Sequence, residues 1–331
     1  MHPSRHDRED QRHRALMGAP LGPGLPDSQI SLFEHAARLH AEHPDGPLPS
    51  DGEPYPDADS HRGDRPRAPR DYRTAGIDAA AVLDEYFSRD GGQPVELEFA
   101  FHDVFVPVHH NEHITAAAWR AGAERVQETG RWLVRHSRDR CSVTIGLALL
   151  AAGIEEDDIP VIQTIGLLSD KFSPLAAHAL GRRHRNGTEA LLWLGGRVAG
   201  WGRVYLAETI CHHASLPRAR AWLLRKACSG DFLDGYFAGK VATAAHLHEA
   251  ITANVPDGEL LDHTSLVLVA MTRSDGIGIT LADYPPAPAV MEAHAAYAQL
   301  QAPTRPGCRT ANAVWVNAHP GFKSPILRPG S

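Results

Sequence analysis

The sequence lacks the features that identify several classes of protein. It contains four cysteines, all far apart in the chain: Cys141, Cys211, Cys228 and Cys308. Without a Cys-x-x-Cys pair, neither a zinc ribbon nor a disulfide framework is indicated. No run approaches the roughly 18 apolar residues of a membrane span, and the charged first residues contain no apolar signal-peptide core. We therefore expect a soluble cytoplasmic protein with reduced thiols and no membrane contact.

Sequence motifs for catalysis and for nucleic-acid binding are also missing. The chain has no Gly-x-Ser-x-Gly elbow, no P-loop and no Gly-x-Gly-x-x-Gly turn leading into a helix. Its net charge is −7, and the most basic part, residues 131–240, carries 15 basic against 10 acidic residues. An excess of +5 (15 minus 10) in an acidic chain argues against a nucleic-acid partner.

Large apolar residues are scarce in residues 1–75, which are rich in Pro, Gly, Asp, Arg and His. Such a segment buries too little surface to offset the entropy lost on ordering, so we predict a disordered acidic arm. One short helix is predicted within it, in "SQISLFEHAARLH", with Ser28 as its cap. Its apolar side would consist of Ile30, Phe33, Ala37 and Leu39. Residues 301–331 are Pro-rich and aperiodic, which predicts an extended tail.

Residues 76–140 predict a helical entry region that contains one strand. A helix is predicted for "IDAAAVLDEYFSR", with Asp78 at its start. Apolar and polar residues alternate in "PVELEFAFHDVFVPV", which is the period of a half-buried strand. The apolar members of this strand would be Val95, Leu97, Phe99 and Phe101. A helical period returns after Thr115 through Trp119, Ala123, Val126, Gly130 and Leu133. Residues 254–300, with Asp257 as a cap, predict the C-terminal helices.

The strongest signal is a repeat of three helix-turn-helix segments, which begin near residues 158, 186 and 215. One triplet and two pairs of aromatic residues recur at a spacing of 29 or 31 residues. They are Phe172, Trp201 and Phe232; Trp193 and Trp222; and Tyr205 and Tyr236. One helix pair cannot bury its apolar face alone, so the segments should stack. The prediction is a mostly α-helical protein, an α-solenoid of stacked helix pairs in which Trp193 and Trp222 are core residues.

The first repeat, "DIPVIQTIGLLSDKFSPLAAHALGR", resembles the short HEAT-like repeats of the PBS-lyase type. The matching residues are Asp158, Val161, Ile162, Leu167, Leu168, Asp170, Ala176, Ala177, Ala179, Leu180 and Gly181. The resemblance covers about residues 141–253. It implies a curved helical scaffold that presents a surface to another protein. Ser173-Pro174 replaces the Val-Arg pair usual in such repeats, so their ladder of buried Asp–Arg contacts is not expected here.

A candidate metal site lies in "VPVHHNEHITAA", where His109, His110, Glu112 and His113 are close in sequence. His109 and His113 would share one helix face, and imidazole and carboxylate groups are ligands for a divalent transition metal. The order differs from His-Glu-x-x-His, which excludes the zincin mechanism. Caps at Asn111 or Thr115 would instead place His109 and His110 ahead of the helix, and this entry from loop to helix is the favoured interpretation.

A second set of histidines falls near the ends of the second helices of the repeats. The set is His184, His212, His213, His246 and His248. In a solenoid these ends would share one rim. Cations at helix C-termini are stabilised by the helix dipole, which is sufficient to explain the pattern, and a pH-sensitive or metal-binding edge is the alternative.

Two functions follow from these observations. The first is an intracellular helical-repeat scaffold or binding protein whose ligand the sequence does not identify. The alternative is a metal-dependent enzyme that uses the histidines and glutamate of residues 109–113.

Overall fold

The computed structural model describes residues 30–61, 66–253, 255–274 and 276–301. Within these ranges the chain is mostly helical and contains no β-strand. The α-helices are α1 Leu32–Glu42, α2 Ile77–Ser88, α3 Glu112–Arg120, α4 Ala123–His136, α5 Arg140–Ala152, α6 Ile159–Gly166, α7 Ser169–Gly181, α8 Gly187–Gly195, α9 Gly200–Cys211, α10 Pro217–Arg225, α11 Ala238–Ala244, α12 Leu247–Thr252, α13 Gly258–Thr272 and α14 Ala287–Gln301. Short 3-10 helices lie at Pro49–Gly52, Tyr72–Thr74, Pro94–Leu97, Glu156–Asp158 and Phe232–Tyr236. None of the described helices is long and apolar enough to span a bilayer.

The chain forms two compact units, Met1–Leu206 and Ala207–Ser331, with the boundary inside α9. In the first unit, α5 packs against α4 and α7, and α7 also packs against α6 and α8. In the second unit, α13 packs against α10, α11 and α14, and α12 packs against α14. Each unit thus buries its own set of apolar helix faces, which is the main source of stability for helices of this length.

Small residues let α4 and α5 approach each other closely at the centre of the first unit. A Cβ on Gly146 would lie 2.7 Å from the Cβ of Leu133 and 3.0 Å from the carbonyl oxygen of Gly130. No larger side chain fits without moving one helix, so Gly146 sets the distance between them. Residues on all sides of α5 are buried, including Val143, Ile145, Leu147 and Leu149.

Both helices predicted for each of the first two repeats are present, α6 and α7 in the first and α8 and α9 in the second. Trp193 and Trp222 are each only 7% exposed, which confirms them as core residues. The aromatic residues assigned to the second helices are not equivalent, because Phe172 is fully buried while Trp201 is 37% and Phe232 is 69% exposed. The third repeat differs for a local reason: its second half is divided into the 3-10 helix Phe232–Tyr236 and α11.

The predicted strand in residues 94–108 is wrong. Pro94–Leu97 is a 3-10 helix, closed by the carboxylate of Glu96, which accepts the backbone N–H of Gln93 at 2.8 Å. Leu97 and Phe101 are buried, whereas Val95 and Phe99 are exposed. The apolar residues that enter the core are therefore four positions apart instead of two. With no strand elsewhere in the described residues to pair with, the alternating pattern has no sheet to join.

The prediction of a disordered arm is wrong for residues 30–61, which are part of the first unit and whose helix α1 packs against α4 and α6. The helix inside the arm is capped by Ser31 and not by Ser28: the Ser31 hydroxyl accepts the N–H of Glu34, whose carboxylate accepts the N–H of Ser31 at 2.9 Å. The few large apolar residues that follow, Leu48 and Tyr55, are buried. Residues 66–75 of the predicted arm are also described and include the 3-10 helix Tyr72–Thr74. The remaining parts of the predicted arm and tail, residues 1–29, 62–65 and 302–331, lie outside the described residues.

The starts of α2 and α4 also differ from prediction. Gly76, with a φ of 86°, occupies the cap position of α2, and Asp78 lies within its first turn. The helical pattern predicted to run on from Thr115 is interrupted between α3 and α4, and Trp119 is exposed at the end of α3. The predicted cap of α13 is confirmed, because the carboxylate of Asp257 accepts the N–H of Leu260 at 2.8 Å.

Candidate metal centre

Three segments that are distant in sequence bring two histidines and an aspartate together in the first unit. His61 lies in a turn, His102 lies in the turns after the 3-10 helix Pro94–Leu97, and Asp139 is the N-cap of α5. One potential ligand atom from each lies within 4.8 Å of the other two. Among the described residues, this is the only group of three or more His, Cys, Asp or Glu side chains that converges in this way.

The distances in this group are close to those of a metal site. His102 Nδ1 lies 2.9 Å and His61 Nε2 lies 3.6 Å from the same oxygen, Asp139 Oδ2. Ligand atoms on a tetrahedral zinc ion are separated by about 3.3 Å, given Zn–N and Zn–O bonds of about 2.0 Å. The two imidazole rings are nearly perpendicular, at 81°. A cation could therefore replace the hydrogen bond to Asp139 with small movements of the side chains.

Asp139 is fixed by its role at the start of α5. Its Oδ1 accepts the backbone N–H groups of Cys141 at 3.0 Å and Ser142 at 3.1 Å. These bonds satisfy two of the amides that a helix start leaves without partners, and the positive end of the helix dipole stabilises the carboxylate. Because Oδ1 is occupied by the cap, Oδ2 is directed at the two histidines. The Asp139 side chain is 1% exposed.

Contacts from residues near the N-terminus of α5 fix the segment that carries His102. The Ser142 hydroxyl donates to the carbonyl oxygen of Glu98 at 2.6 Å, and Arg138 Nε binds the carboxylate of Glu98 at 2.9 Å. Phe101, next to His102, is fully buried. These contacts leave the His102 side chain 30% exposed, which provides an entry path for a cation from solvent.

His61 is oriented by a carboxylate on its other ring nitrogen. Its Nδ1 lies 3.2 Å from Asp57 Oδ2, four residues earlier in the chain. Asp57 is itself held by Arg140, which donates from Nε at 2.9 Å, from Nη2 at 2.6 Å and from its backbone N–H at 2.8 Å. The Arg140 guanidinium also lies over the ring of Tyr55, 4.8 Å from its centroid. Histidines that bind metals usually donate their second N–H to a carboxylate in this way.

Cys141 lies near the same ring nitrogen of His61 that faces Asp139. Its Sγ lies 3.6 Å from His61 Nε2. A thiol, an imidazole and a carboxylate in this order, Cys141, His61 and Asp57, also resemble an activated nucleophile. The backbone amides at the start of α5, which could stabilise an oxyanion, are instead bonded to Asp139. The buried carboxylate and the two imidazoles therefore support metal binding better than thiol catalysis.

The sequence-predicted metal residues lie at the start of α3 and face different partners. Asn111 caps the helix, since its Oδ1 accepts the N–H groups of His113 and Ile114, each at 3.1 Å. His109 and His110 therefore precede the helix, as the favoured interpretation predicted. Glu112 is the first residue of α3, where the helix dipole stabilises its charge.

The side chains of the three histidines in this cluster point to separate contacts. His113 Nε2 lies 2.7 Å from the carbonyl oxygen of Arg73. The ring of His110 packs against His178, with centroids 4.3 Å apart, and the ring of His109 packs edge-on against Tyr205. No group of converging ligand atoms within the described residues includes them. Metal binding at His109, His110, Glu112 and His113 stays a prediction without geometric support.

The five histidines predicted for a common rim occupy different positions. His184 follows α7, and His212 and His213 follow α9, as predicted. His246 follows the end of α11 by two residues, as predicted, and is also the N-cap of α12, with a φ of 52°, whereas His248 lies inside α12. Burial, followed by the charge of His212, lowers the pKa of His213. The shared rim stays a prediction, because these residues are divided between the two units.

Sequence reasoning missed the centre because its residues are far apart. His102 is 41 positions from His61 (102 minus 61) and 37 positions from Asp139. His61 fell in the predicted disordered arm and His102 in the predicted strand. The usable signals were local ones: the Asp-x-x-x-His spacing of residues 57–61 and an Asp before the apolar helix that begins at Arg140.

Comparison of the chain with models of known protein families, with curated proteins and with solved structures finds no match.

Proposed function

We propose that this protein binds a divalent transition metal at His61, His102 and Asp139. The observation that carries the proposal is the convergence of one ligand atom from each residue within 4.8 Å. Two imidazoles and one carboxylate suit zinc, nickel, cobalt and iron, and are a poor set for calcium or magnesium, which prefer oxygen ligands. Zinc is the first cation to test, because its bond lengths and tetrahedral geometry fit the observed distances.

Electrostatics favours a cation at this position. Asp139 is buried, and its Oδ2 faces the ring nitrogens of His61 and His102. A buried carboxylate is costly unless it is paired, and a divalent cation compensates it more fully than two neutral imidazoles can. Binding would also hold three separate segments together, so we expect the metal to stabilise the first unit.

We also propose that the helix pairs α6–α7 and α8–α9 are HEAT-like repeats of an α-solenoid whose ligand is another protein. Support comes from the packing of α7 against both α6 and α8 and from the buried Trp193. The exposed side chains of Tyr72 and Trp119 offer apolar surface of the kind that protein partners cover. In this proposal the metal has a structural function, and it fixes residues 57–61 on the start of α5.

The test is metal binding by the full-length chain, purified without a histidine tag and without added metal. We expect about one equivalent of a transition metal by elemental analysis, and calorimetric titration of the metal-free chain with Zn²⁺ should give one site. His61→Ala and His102→Ala should each weaken zinc binding by more than about a hundredfold, beyond the effect of losing an outer-shell partner. Asp139→Asn is the sharpest variant, because asparagine still caps α5 but removes the charged ligand.

The matched control is the triple variant His109→Ala, His110→Ala, His113→Ala, which removes the histidines of the other candidate site. It should bind zinc as the unaltered chain does. If instead the triple variant loses zinc while Asp139→Asn and His102→Ala retain it, the proposed centre is wrong and the site predicted from sequence is right. Absence of any stoichiometric zinc binding by the unaltered chain would contradict both sites.

A further inference from the structure

Cys141 lies at the second position of α5, beside the proposed centre. Its backbone N–H is bonded to Asp139 Oδ1 at 3.0 Å, and its Sγ is 3.6 Å from His61 Nε2. The thiol therefore shares a helix start with one ligand and touches a second. Cys141 contacts one member of the group that converges within 4.8 Å, and it is not itself a member of that group.

One separation at the centre, between Cys141 Sγ and His61 Nε2, matches a sulfur–nitrogen edge of a tetrahedral zinc site. A zinc ion with a Zn–S bond of about 2.3 Å and a Zn–N bond of about 2.0 Å separates sulfur from nitrogen by about 3.5 Å. His61 Nε2 is 3.6 Å from Cys141 Sγ and 3.6 Å from Asp139 Oδ2, so this nitrogen already has both neighbours at the expected range. Sγ lies outside the group that converges within 4.8 Å, so metal binding at four ligands requires it to move toward His102 and Asp139.

We propose that the thiolate of Cys141 is the fourth ligand, which makes the centre a closed tetrahedral site for zinc. This inference rests on the proposed metal binding at His61, His102 and Asp139. On binding, the metal–sulfur bond forms, the S–H bond breaks and the proton leaves to the buffer, with no change of oxidation state.

Charge balance supports a fourth, anionic ligand. A divalent cation held by one carboxylate and two neutral imidazoles leaves one positive charge at a site where Asp139 and Cys141 are buried. Adding one thiolate brings the total charge to zero, and a neutral assembly is the less costly one to bury. Four protein ligands are typical of structural zinc sites, whereas catalytic sites leave one position for water.

The experiment replaces zinc with Co²⁺, whose bonds to thiolate sulfur absorb strongly in the near ultraviolet. The metal-free full-length chain and its Cys141→Ser variant are titrated with Co²⁺ alone. The unaltered chain should show the sulfur-to-cobalt band together with intense visible bands of a tetrahedral ion, and Cys141→Ser should lose the former. Zinc affinity should fall at least about a hundredfold in Cys141→Ser, more than for an outer-shell contact.

The matched control is Cys211→Ser, at the end of α9. Burial and then the nearby charge of Glu208 raise the pKa of Cys211 to about 12, so this thiol stays protonated at neutral pH. Cys211→Ser should keep the cobalt–sulfur band at full strength. Cobalt binding by the unaltered chain without a sulfur band would overturn the assignment of Cys141 and leave the three-residue site in place. No cobalt or zinc binding at all would overturn the three-residue site as well.

A second measurement covers the case in which Cys141→Ser does not fold. The unaltered chain is treated with iodoacetamide, and the modified peptides are quantified by mass spectrometry with and without one equivalent of Zn²⁺. Zinc should slow alkylation of Cys141 at least about tenfold and leave the rate at Cys211 unchanged. Equal rates at Cys141 with and without bound zinc would overturn the proposal.

Discussion

Asp139 uses its two carboxylate oxygens for different purposes. Oδ1 caps α5 through two backbone N–H groups, and Oδ2 faces His61 and His102. The same side chain therefore determines where the helix begins and where the ligand atoms meet. Any shift in the first turn of α5 would move the centre, because Arg140 and Cys141 belong to that turn as well.

Asp57 should control zinc affinity without contacting the metal. In Asp57→Asn, the His61 ring loses the carboxylate that orients it, and zinc affinity should fall by about ten- to a hundredfold in a calorimetric titration. The control is Asp84→Asn, which removes a carboxylate paired with Arg120 at 2.7 Å, on α2 and away from the centre. An equal, small effect of the two variants on zinc affinity would show that Asp57 does not position His61.

The helices themselves were predictable where local rules determine them. The cap at Asp257 and the apolar period after it predict α13, and Asn111 predicts the start of α3, because both signals act within one turn of helix. The alternation of apolar and polar residues around Leu97 led to the wrong prediction of a strand, since two-residue periodicity indicates a strand only where a partner strand exists. The metal centre was beyond such rules, because His61, His102 and Asp139 meet only through tertiary packing.

The close contact between the start of α2 and the start of α3 depends on a glycine. Gly76 has a φ of 86°, and a Cβ there would lie 2.4 Å from Oδ1 of Asn111, the residue that caps α3. Gly76→Ala should lower the free energy of unfolding by about 2 kcal/mol or more, because it adds backbone strain and displaces the cap. Chemical denaturation monitored by circular dichroism measures this loss.

Gly91→Ala is the control for strain alone. Gly91 also has a positive φ, 77°, but a Cβ there meets nothing within 4 Å. The Gly91→Ala variant should lose about 1 kcal/mol of its free energy of unfolding, because alanine is strained in a left-handed conformation. Equal losses in the two variants would show that the contact with Asn111 contributes nothing.

At the scale of the molecule, the first unit should lose stability on mild acidification. Burial, followed by the charges of His110, Arg182 and Arg183, lowers the pKa of His178 to about 4 from its ordinary value of 6.5. The unfolded chain therefore binds a proton at this residue below about pH 6.5, whereas the folded chain binds it only near pH 4. The contribution of His178 to the free energy of unfolding is therefore present above pH 6.5, and it is lost progressively as the pH falls from 6.5 to 4.

The midpoint of urea denaturation, measured from pH 7.5 to pH 4 in the presence of EDTA, tests this effect. His178→Gln should make the decline over that range shallower than in the unaltered chain. His136→Gln, at an exposed position near the end of α4, serves as the control and should leave the decline unchanged. Identical pH profiles for all three proteins would contradict the role of His178.

A cation at the proposed centre would act as a reversible cross-link between distant parts of the chain. A cation bound to His61 and Asp139 joins residues 78 positions apart (139 minus 61), in a chain whose cysteines are too dispersed to suggest a disulfide. Closing a loop of that size in the unfolded state costs about 4.5 kcal/mol by chain-entropy arguments, so the unfolded chain holds the cation far more weakly than the folded chain does. Unlike a covalent bond, this link has a strength that follows the concentration of free metal, so the stability of the first unit becomes a readout of that concentration.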